Sequence, residues 1–225
     1  RYQAKHGVRV IKVCATSGVF SAGKQPGAQQ YSQEELNAIV EEASRHGLRV
    51  MAHAHGSEGI LAAVKAGVAS IDHGSMLTPE IIDEMKARGT YLVPTIYLND
   101  IPLPENTPQD TIDKSTFLNS YSEDSFRMAV EGGVNIAYGT DSGVLRHDQV
   151  GKEFYAMVRR GMEPLHALQT ATILAADLLG VDDRAELQPG LLADIIAVDG
   201  NPLDDIRAME RVAFVMKDGQ VVKAD

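Results

Sequence analysis

The strict alternation of short apolar segments with amphipathic ones most constrains the fold of this chain. Five segments rich in β-branched and apolar residues span 8–15, 49–54, 69–73, 90–96 and 135–141. The stretches between them carry apolar residues at helical spacing, and Ser32 followed by Glu35 is the pattern of a capping box at a helix start. Strands separated by helices predict right-handed βαβ units and a parallel sheet, so the predicted class is α/β. The alternation alone does not choose between a closed barrel and an open doubly wound sheet.

The C-terminal part of the chain follows a different pattern. Residues 149–179 are predicted to form two or three helices, and short strands are predicted over 193–198 and 212–222. Asp218-Gly219 is typical of a two-residue hairpin turn. We therefore predict one α/β domain over residues 1–183 and a small β segment over residues 184–225.

Composition excludes several classes of protein. The 225 residues carry a formal net charge of −10 without a Lys/Arg cluster, which argues against nucleic-acid binding. No apolar run approaches the ~18 residues that a membrane span needs, so we expect no membrane partner. Cys14 is the single cysteine, which fits a reducing compartment, and we expect a cytoplasmic location. Without a cysteine pair, a metal would have to be held by nitrogen and oxygen.

Residues that can bind a metal stand at the ends of four predicted strands. They are Lys12, His53, His73 and Asp141. In a barrel the carboxyl ends of the strands converge on one face, where active sites are built. A single histidine at a strand end is more often an ordinary hydrogen-bonded residue, but two imidazoles and a carboxylate at equivalent positions favour a zinc-type site.

Three further features of these segments bear on function. Lys12 lies in an apolar strand, where an unpaired buried charge is costly, so it either reaches solvent or takes part in the chemistry. His55 faces the same way as His53 and is either a loop histidine or a substrate contact. His147 follows Asp141 in a loop and is a weaker candidate for substrate binding.

These motifs resemble those of the amidohydrolase superfamily. The resemblance is carried by "VIKVCATSG", "VMAHAHG", "SIDHG", "AYGTDSG" and the C-terminal "ALQTATILAADLLG". Within the superfamily, "HAHGSEGI" followed by "SIDHG" is most similar to the imidazolonepropionase-related branch that includes Xaa-Pro dipeptidases (prolidases). The resemblance implies a (β/α)8 TIM barrel, of which this chain would contain strands 4–8, with the C-terminal part of a small β-sandwich.

The resemblance also implies roles for these residues. Lys12 would be carboxylated and bridge two zinc ions, His53 and His73 would hold the second ion, and Asp141 would bind the first and accept a proton. A metal-activated hydroxide would hydrolyse the amide bond of a small peptide or amide, such as an Xaa-Pro dipeptide, with His55 touching the substrate. We also expect a homo-oligomer.

One departure from the superfamily pattern leaves alternatives open. The first His-Xaa-His ligand pair of the family has no counterpart, and we expect barrel strands 1–3 to be missing from this chain. A cyclic-amide hydrolase or deaminase is one alternative, although deaminase-type sites usually lack a carboxylated lysine, and Lys12 argues against it. A non-catalytic scaffold is the alternative from another class.

Overall fold

The structure is a computed structural model that describes residues 1–23 and 25–224. It divides into two compact units. The first unit contains Arg1–Pro94 and Ile101–Ile136, and the second contains Thr95–Asp100 and the chain from Ala137 onwards. The domain boundary that the sequence places between residues 183 and 184 stays a prediction.

The first unit is built on a parallel sheet of four strands in the order β1-β2-β3-β4. The strands are β1 (Val10–Cys14), β2 (Arg49–Ala54), β3 (Ser70–His73) and β4 (Tyr91–Val93). Buried apolar side chains such as Val50, Ile71 and Leu92 fix the sheet against its helices. The parallel register places the carboxyl ends of the strands at one edge, and this confirms the predicted α/β class.

Helices accompany these strands, and the helix after Ser32 begins where the capping box predicts. They are α1 (Tyr2–Lys5), α2 (Gln33–Arg45), α3 (Ser57–Ala66), α4 (Pro79–Arg88) and α5 (Gln109–Gly132). The capping box is present, because the Ser32 hydroxyl accepts from Glu35 N and the Glu35 carboxylate accepts from Ser32 N. At the start of α4 the Thr78 hydroxyl accepts from Ile81 N, and Pro79 lies in the first turn.

The predicted fifth strand is wrong as a regular element. Within residues 135–141 only Ile136 bridges to Leu92, and Leu92 N donates to Asn135 O at 2.8 Å. The neighbouring strand β4 is also shorter than predicted, since it stops at Val93. Pro94 has no N–H to continue a ladder, which leaves the next segment too little strand to pair with.

The second unit contains helices followed by a separate antiparallel sheet. Its helices are α6 (Lys152–Val158), α7 (Pro164–Thr170) and α8 (Ile173–Leu179), with 3-10 helices at Ile96–Asp100, His147–Gln149 and Ile206–Glu210. The sheet has the order β5-β6-β7, with β5 at Ile195–Val198, β6 at Val212–Lys217 and β7 at Gln220–Ala224. The predicted hairpin turn is confirmed, with positive φ at Asp218 and Gly219. Across the described part of the chain, no helix is both long and apolar enough to cross a bilayer.

Candidate metal centre

Three histidines meet at the carboxyl ends of β2 and β3. His53 lies in β2, His55 follows it by two residues, and His73 is the last residue of β3. The His53 ring is 4.7 Å from the His55 ring and 4.8 Å from the His73 ring, centroid to centroid. One ring nitrogen from each histidine lies within 4.8 Å of the other two. The sequence predicted that His53 and His73 would converge, and the structure adds His55 to the same cluster.

An unusual backbone conformation brings His73 into this cluster. The strand register sets Asp72 beside His53 and sets His73 beside Ala54, so simple alternation would point His53 and His73 to opposite faces. His73 instead has φ 72°, in the left-handed region that costs a non-glycine residue about 1 kcal/mol or more. Its ring stacks on that of His55 with an interplanar angle of 9° and a separation of 4.7 Å.

His55 is held from two sides. Its Nδ1 is 2.8 Å from the Ser75 hydroxyl oxygen, and its backbone N–H donates to the Thr16 hydroxyl at 2.9 Å. The Thr16 hydroxyl in turn donates to Ser17 O at 3.1 Å. Because His55, Thr16 and Ser75 are all buried, these hydrogen bonds fix the orientation of the imidazole.

Burial favours the neutral, metal-binding form of His55 and His73. Burial lowers the pKa of His55 to about 3, with a smaller contribution from the charge of His53. Burial also lowers the pKa of His73 well below its ordinary value, aided by His55, His53 and Lys12. A histidine must be neutral to bind a metal, so protons compete little for these ring nitrogens. Closely spaced neutral imidazoles are a donor set that suits Zn²⁺ or a similar borderline metal.

Lys12 lies at the same edge of the sheet and has a buried partner. Its ammonium pairs with the carboxylate of Asp72, whose side chain is 7% exposed while that of Lys12 is 43% exposed. The charge of Lys12 also contributes to the lowered pKa of His73. The sequence indicated that an unpaired buried charge at Lys12 would be costly, but it did not identify Asp72 as the partner.

The loop after β1 covers the nitrogen face of the cluster. A Cβ atom placed on Gly18 would lie 2.7 Å from His53 Nε2 and 3.5 Å from His55 Nε2. Further along the same loop, Gly27 packs against Gly56. A Cβ atom placed on Gly56 would lie 2.1 Å from Gly27 O. A Cβ at Gly56 would clash with the Gly27 backbone, and a Cβ at Gly18 would force the His53 imidazole or the loop to shift.

The family model named "Amidohydrolase family" matches residues 1–222. The chain belongs to the amidohydrolase family. Ochratoxinase of Aspergillus niger is 37% identical over 233 residues, which cover 99% of this chain and 48% of the ochratoxinase. The chain is likewise similar to a Xaa-Pro dipeptidase whose crystal structure has methionine bound in the active site. That similarity has a TM-score of 0.94 and 41% identity over 98% of this chain and 56% of the dipeptidase.

A third amidohydrolase relative is a prolidase solved in complex with N-methylphosphonate-L-proline. It matches with a TM-score of 0.91 and 29% identity, over 100% of this chain and 57% of the prolidase. The chain therefore spans about half the length of the relatives it matches. Membership in the amidohydrolase family confirms the resemblance drawn from the sequence motifs.

Two of the predicted site residues belong to the second unit. Asp141 is exposed, has φ 53°, and its carbonyl accepts from Val144 N at 3.1 Å. His147 is exposed at the start of the 3-10 helix His147–Gln149. The roles assigned to Asp141 and His147, like those of Lys12, His53 and His73, stay predictions.

Sequence reasoning missed three residues around this histidine cluster, namely Gly18, Asp72 and Ser75. A signal for Asp72 was available, because an acidic residue within an apolar strand, near a strand that contains Lys12, predicts an ion pair. No comparable signal exists for Gly18 or Ser75, whose contacts join segments far apart in the chain.

Proposed function

We propose that this chain provides the metal site of a metal-dependent hydrolase that cleaves the amide bond of an Xaa-Pro or related dipeptide. The observation that carries the proposal is the cluster of His53, His55 and His73, whose nitrogens lie within 4.8 Å of one another. Support for the substrate class comes from the similarity to a Xaa-Pro dipeptidase and to a prolidase.

The chain's own residues divide into metal ligands and a substrate contact. His53 and His73 would hold a divalent metal together with Lys12 in its carboxylated form. His55, which is oriented by Ser75, would face the substrate. A divalent metal at this position supplies Lewis-acid chemistry, which polarises an amide carbonyl and lowers the pKa of water.

Asp141 would carry the proton through the reaction. One carboxylate oxygen of Asp141 accepts a proton from the attacking water as the new carbon–oxygen bond forms. The same oxygen then gives that proton to the amine nitrogen as the carbon–nitrogen bond breaks. A carboxylate in this role contributes ~10²–10⁴-fold to the rate.

Metal titration tests the cluster directly. We expect the chain to bind Zn²⁺ or Co²⁺, and His53→Ala and His73→Ala to weaken binding strongly, since each removes a ligand. His55→Ala should weaken it less if His55 faces the substrate. His46→Ala is the matched control, because His46 is exposed at the end of α2, outside the cluster. Equal affinities for the wild-type chain and the His53 and His73 variants would refute the site.

Hydrolysis tests the reaction. The assay follows release of free proline from a panel of Xaa-Pro dipeptides, with other dipeptides and cyclic amides as competing substrate classes. We expect no turnover from the 225-residue chain alone, because β1 is paired on one side only in the described sheet. Fusion to the part of the dipeptidase that this chain does not match should give turnover with Xaa-Pro dipeptides. Full activity from the chain alone would contradict the barrel assignment.

A further inference from the structure

The start of the loop after β1 forms a tight turn beside the histidine cluster. Gly18 N donates to the Ser21 hydroxyl at 2.9 Å, and Ser21 N donates to Gly18 O at 3.2 Å. Two hydrogen bonds between Gly18 and Ser21, one donated by each residue, therefore close the turn. Since a Cβ added to Gly18 would lie 2.7 Å from His53 Nε2, the position of this turn limits the space in front of that nitrogen.

The base of the loop is fixed independently of the turn. The Ser17 hydroxyl donates to Gln25 O at 2.8 Å and accepts from Ala28 N at 3.1 Å. The backbone of Ser17 also pairs with that of Gly27 and Ala28, each at 2.9 Å. These bonds close the neck of the loop, but they do not hold the turn between Gly18 and Ser21 against the rest of the unit.

A buried lysine from a distant helix makes that connection. Lys114 lies in α5 with a side chain that is only 5% exposed, and its ammonium donates to Ser21 O at 3.0 Å. Its other partner is the carboxylate of Asp110, at 2.6 Å, which is itself 59% exposed. Burying an ammonium group is costly, and replacing a buried ion pair by apolar side chains is often neutral or stabilising in proteins. The hydrogen bond to Ser21 O gives the Lys114 ammonium a function that an apolar side chain could not perform.

We propose that Lys114 is a positioning residue that holds the Gly18–Ser21 turn over the histidine cluster and thereby fixes the His53 imidazole for metal binding. The metal-binding part of this proposal rests on the proposed function. The connection runs from the Lys114 ammonium to the Ser21 carbonyl, from Ser21 to Gly18 through two hydrogen bonds, and from Gly18 to the His53 ring. Lys114 touches neither metal nor substrate in this arrangement.

The test compares Lys114→Met with Asp110→Asn. Lys114→Met removes both the ion pair and the bond to the turn, whereas Asp110→Asn removes the charge of the partner and leaves the bond to Ser21 in place. Each chain is titrated with Co²⁺, whose visible spectrum reports ligand geometry. Loss of residues that orient metal ligands weakens metal binding by ~10–100-fold. For Lys114→Met we expect a loss of Co²⁺ affinity near the lower end of this range and an altered Co²⁺ spectrum. For Asp110→Asn we expect the wild-type affinity and spectrum.

Amide hydrogen exchange without metal separates this proposal from the metal function. Peptides covering residues 17–23 should exchange faster in Lys114→Met than in the wild-type chain, while peptides from β2 and β3 should not change. Unchanged exchange in residues 17–23 would overturn the positioning role, as would equal effects of the two substitutions on Co²⁺ binding. Failure of the wild-type chain to bind Co²⁺ would instead refute the proposed function, and the exchange result would still decide whether Lys114 holds the turn.

Discussion

Substituting Gly18 by alanine should weaken metal binding by a predictable route. The new Cβ would lie 2.7 Å from His53 Nε2 and 2.8 Å from His53 Cε1. Ordinary contacts between non-bonded heavy atoms are roughly 3.5–4.0 Å, so the imidazole or the loop must move by about 0.8 Å or more. The backbone of Gly18 does not have a positive φ, so alanine causes no backbone strain there and this overlap is the main cost of the substitution.

The displacement is large compared with what a metal site tolerates. Ligand distances in protein metal sites are held to within about 0.2 Å, so a movement of about 0.8 Å takes His53 Nε2 out of range unless the metal follows it. We therefore expect Gly18→Ala to lower metal affinity by ~10–100-fold, the range seen when residues around the ligands are changed. Overpacking should also cost about 1–3 kcal/mol of stability.

Gly132→Ala is the matched control for overpacking. A Cβ on Gly132 would lie 2.5 Å from Ile82 Cγ2, in the same unit but against an apolar methyl group. Both variants are titrated with Zn²⁺ against a chromophoric chelator and unfolded with denaturant in the absence of metal. Both should lose stability, and only Gly18→Ala should lose metal affinity. A folded Gly18→Ala chain with wild-type affinity would refute the geometry, and equal losses of affinity in both variants would show a general effect of destabilisation.

Three further predictions follow from the site and from the second unit. Native mass spectrometry of the metal-loaded protein should show one added CO₂ that is lost in Lys12→Met, since an ammonium beside His73 would repel a divalent cation; an unmodified lysine in a loaded site would contradict this. In the form that hydrolyses dipeptides, Asp141→Asn should lower kcat by ~10²–10⁴-fold with little change in KM, and a variant that keeps more than about a tenth of kcat would rule out the proton-transfer role. Glu153 is 1% exposed and accepts from Ile96 N and Tyr97 N at 2.7 and 2.8 Å, and burial raises its pKa from 4.5 to about 7. Between these values folded Glu153 holds a proton that it has lost in the unfolded chain, so the contribution of Glu153 to stability should fall as pH rises from 4.5 to 7, by on the order of 3 kcal/mol. The lowered pKa values of His55 and His73 change stability in the opposite direction over this range, so the Glu153 contribution is measured as a difference between two chains. Denaturant unfolding over this range should show that the stability of the wild-type chain relative to Glu153→Gln declines as pH rises, and a constant difference between the two chains would refute it.

Local rules predicted most of the elements of the first unit. The starts of α2 and α4 follow from Ser32, Glu35, Thr78 and Pro79, because capping depends on residues within one turn of each other. The strands β1 to β3 were predicted within one or two residues, since their apolar runs are bounded by turn residues. The segment 135–141 failed because an apolar run specifies burial, whereas a strand also needs a partner of sufficient length.

The candidate site was predictable in its residue types but not in its geometry. His53 and His73 could be expected to converge because parallel strands end at one edge of the sheet. The left-handed backbone at His73 could not be expected, since a histidine in that conformation depends on the surrounding structure to hold it. The approach of Gly18 and the bond from Lys114 join residues far apart in sequence, and only the folded chain brings them together.

The signs of the charges around the cluster relate carboxylation of Lys12 to metal binding. His55 and His73 are kept neutral by burial, so the cluster itself gains nothing from protonation at neutral pH. Lys12, whose charge helps to lower the pKa of His73, is paired with the buried carboxylate of Asp72. Carboxylation of Lys12 would reverse its charge and place two negative groups beside neutral imidazoles. Such a set is unfavourable without a cation, and a divalent metal held by the histidines and the carboxylated lysine would balance it. The same electrostatic argument predicts that metal and CO₂ bind cooperatively: added bicarbonate should increase Zn²⁺ affinity in the wild-type chain and have no effect in Lys12→Met.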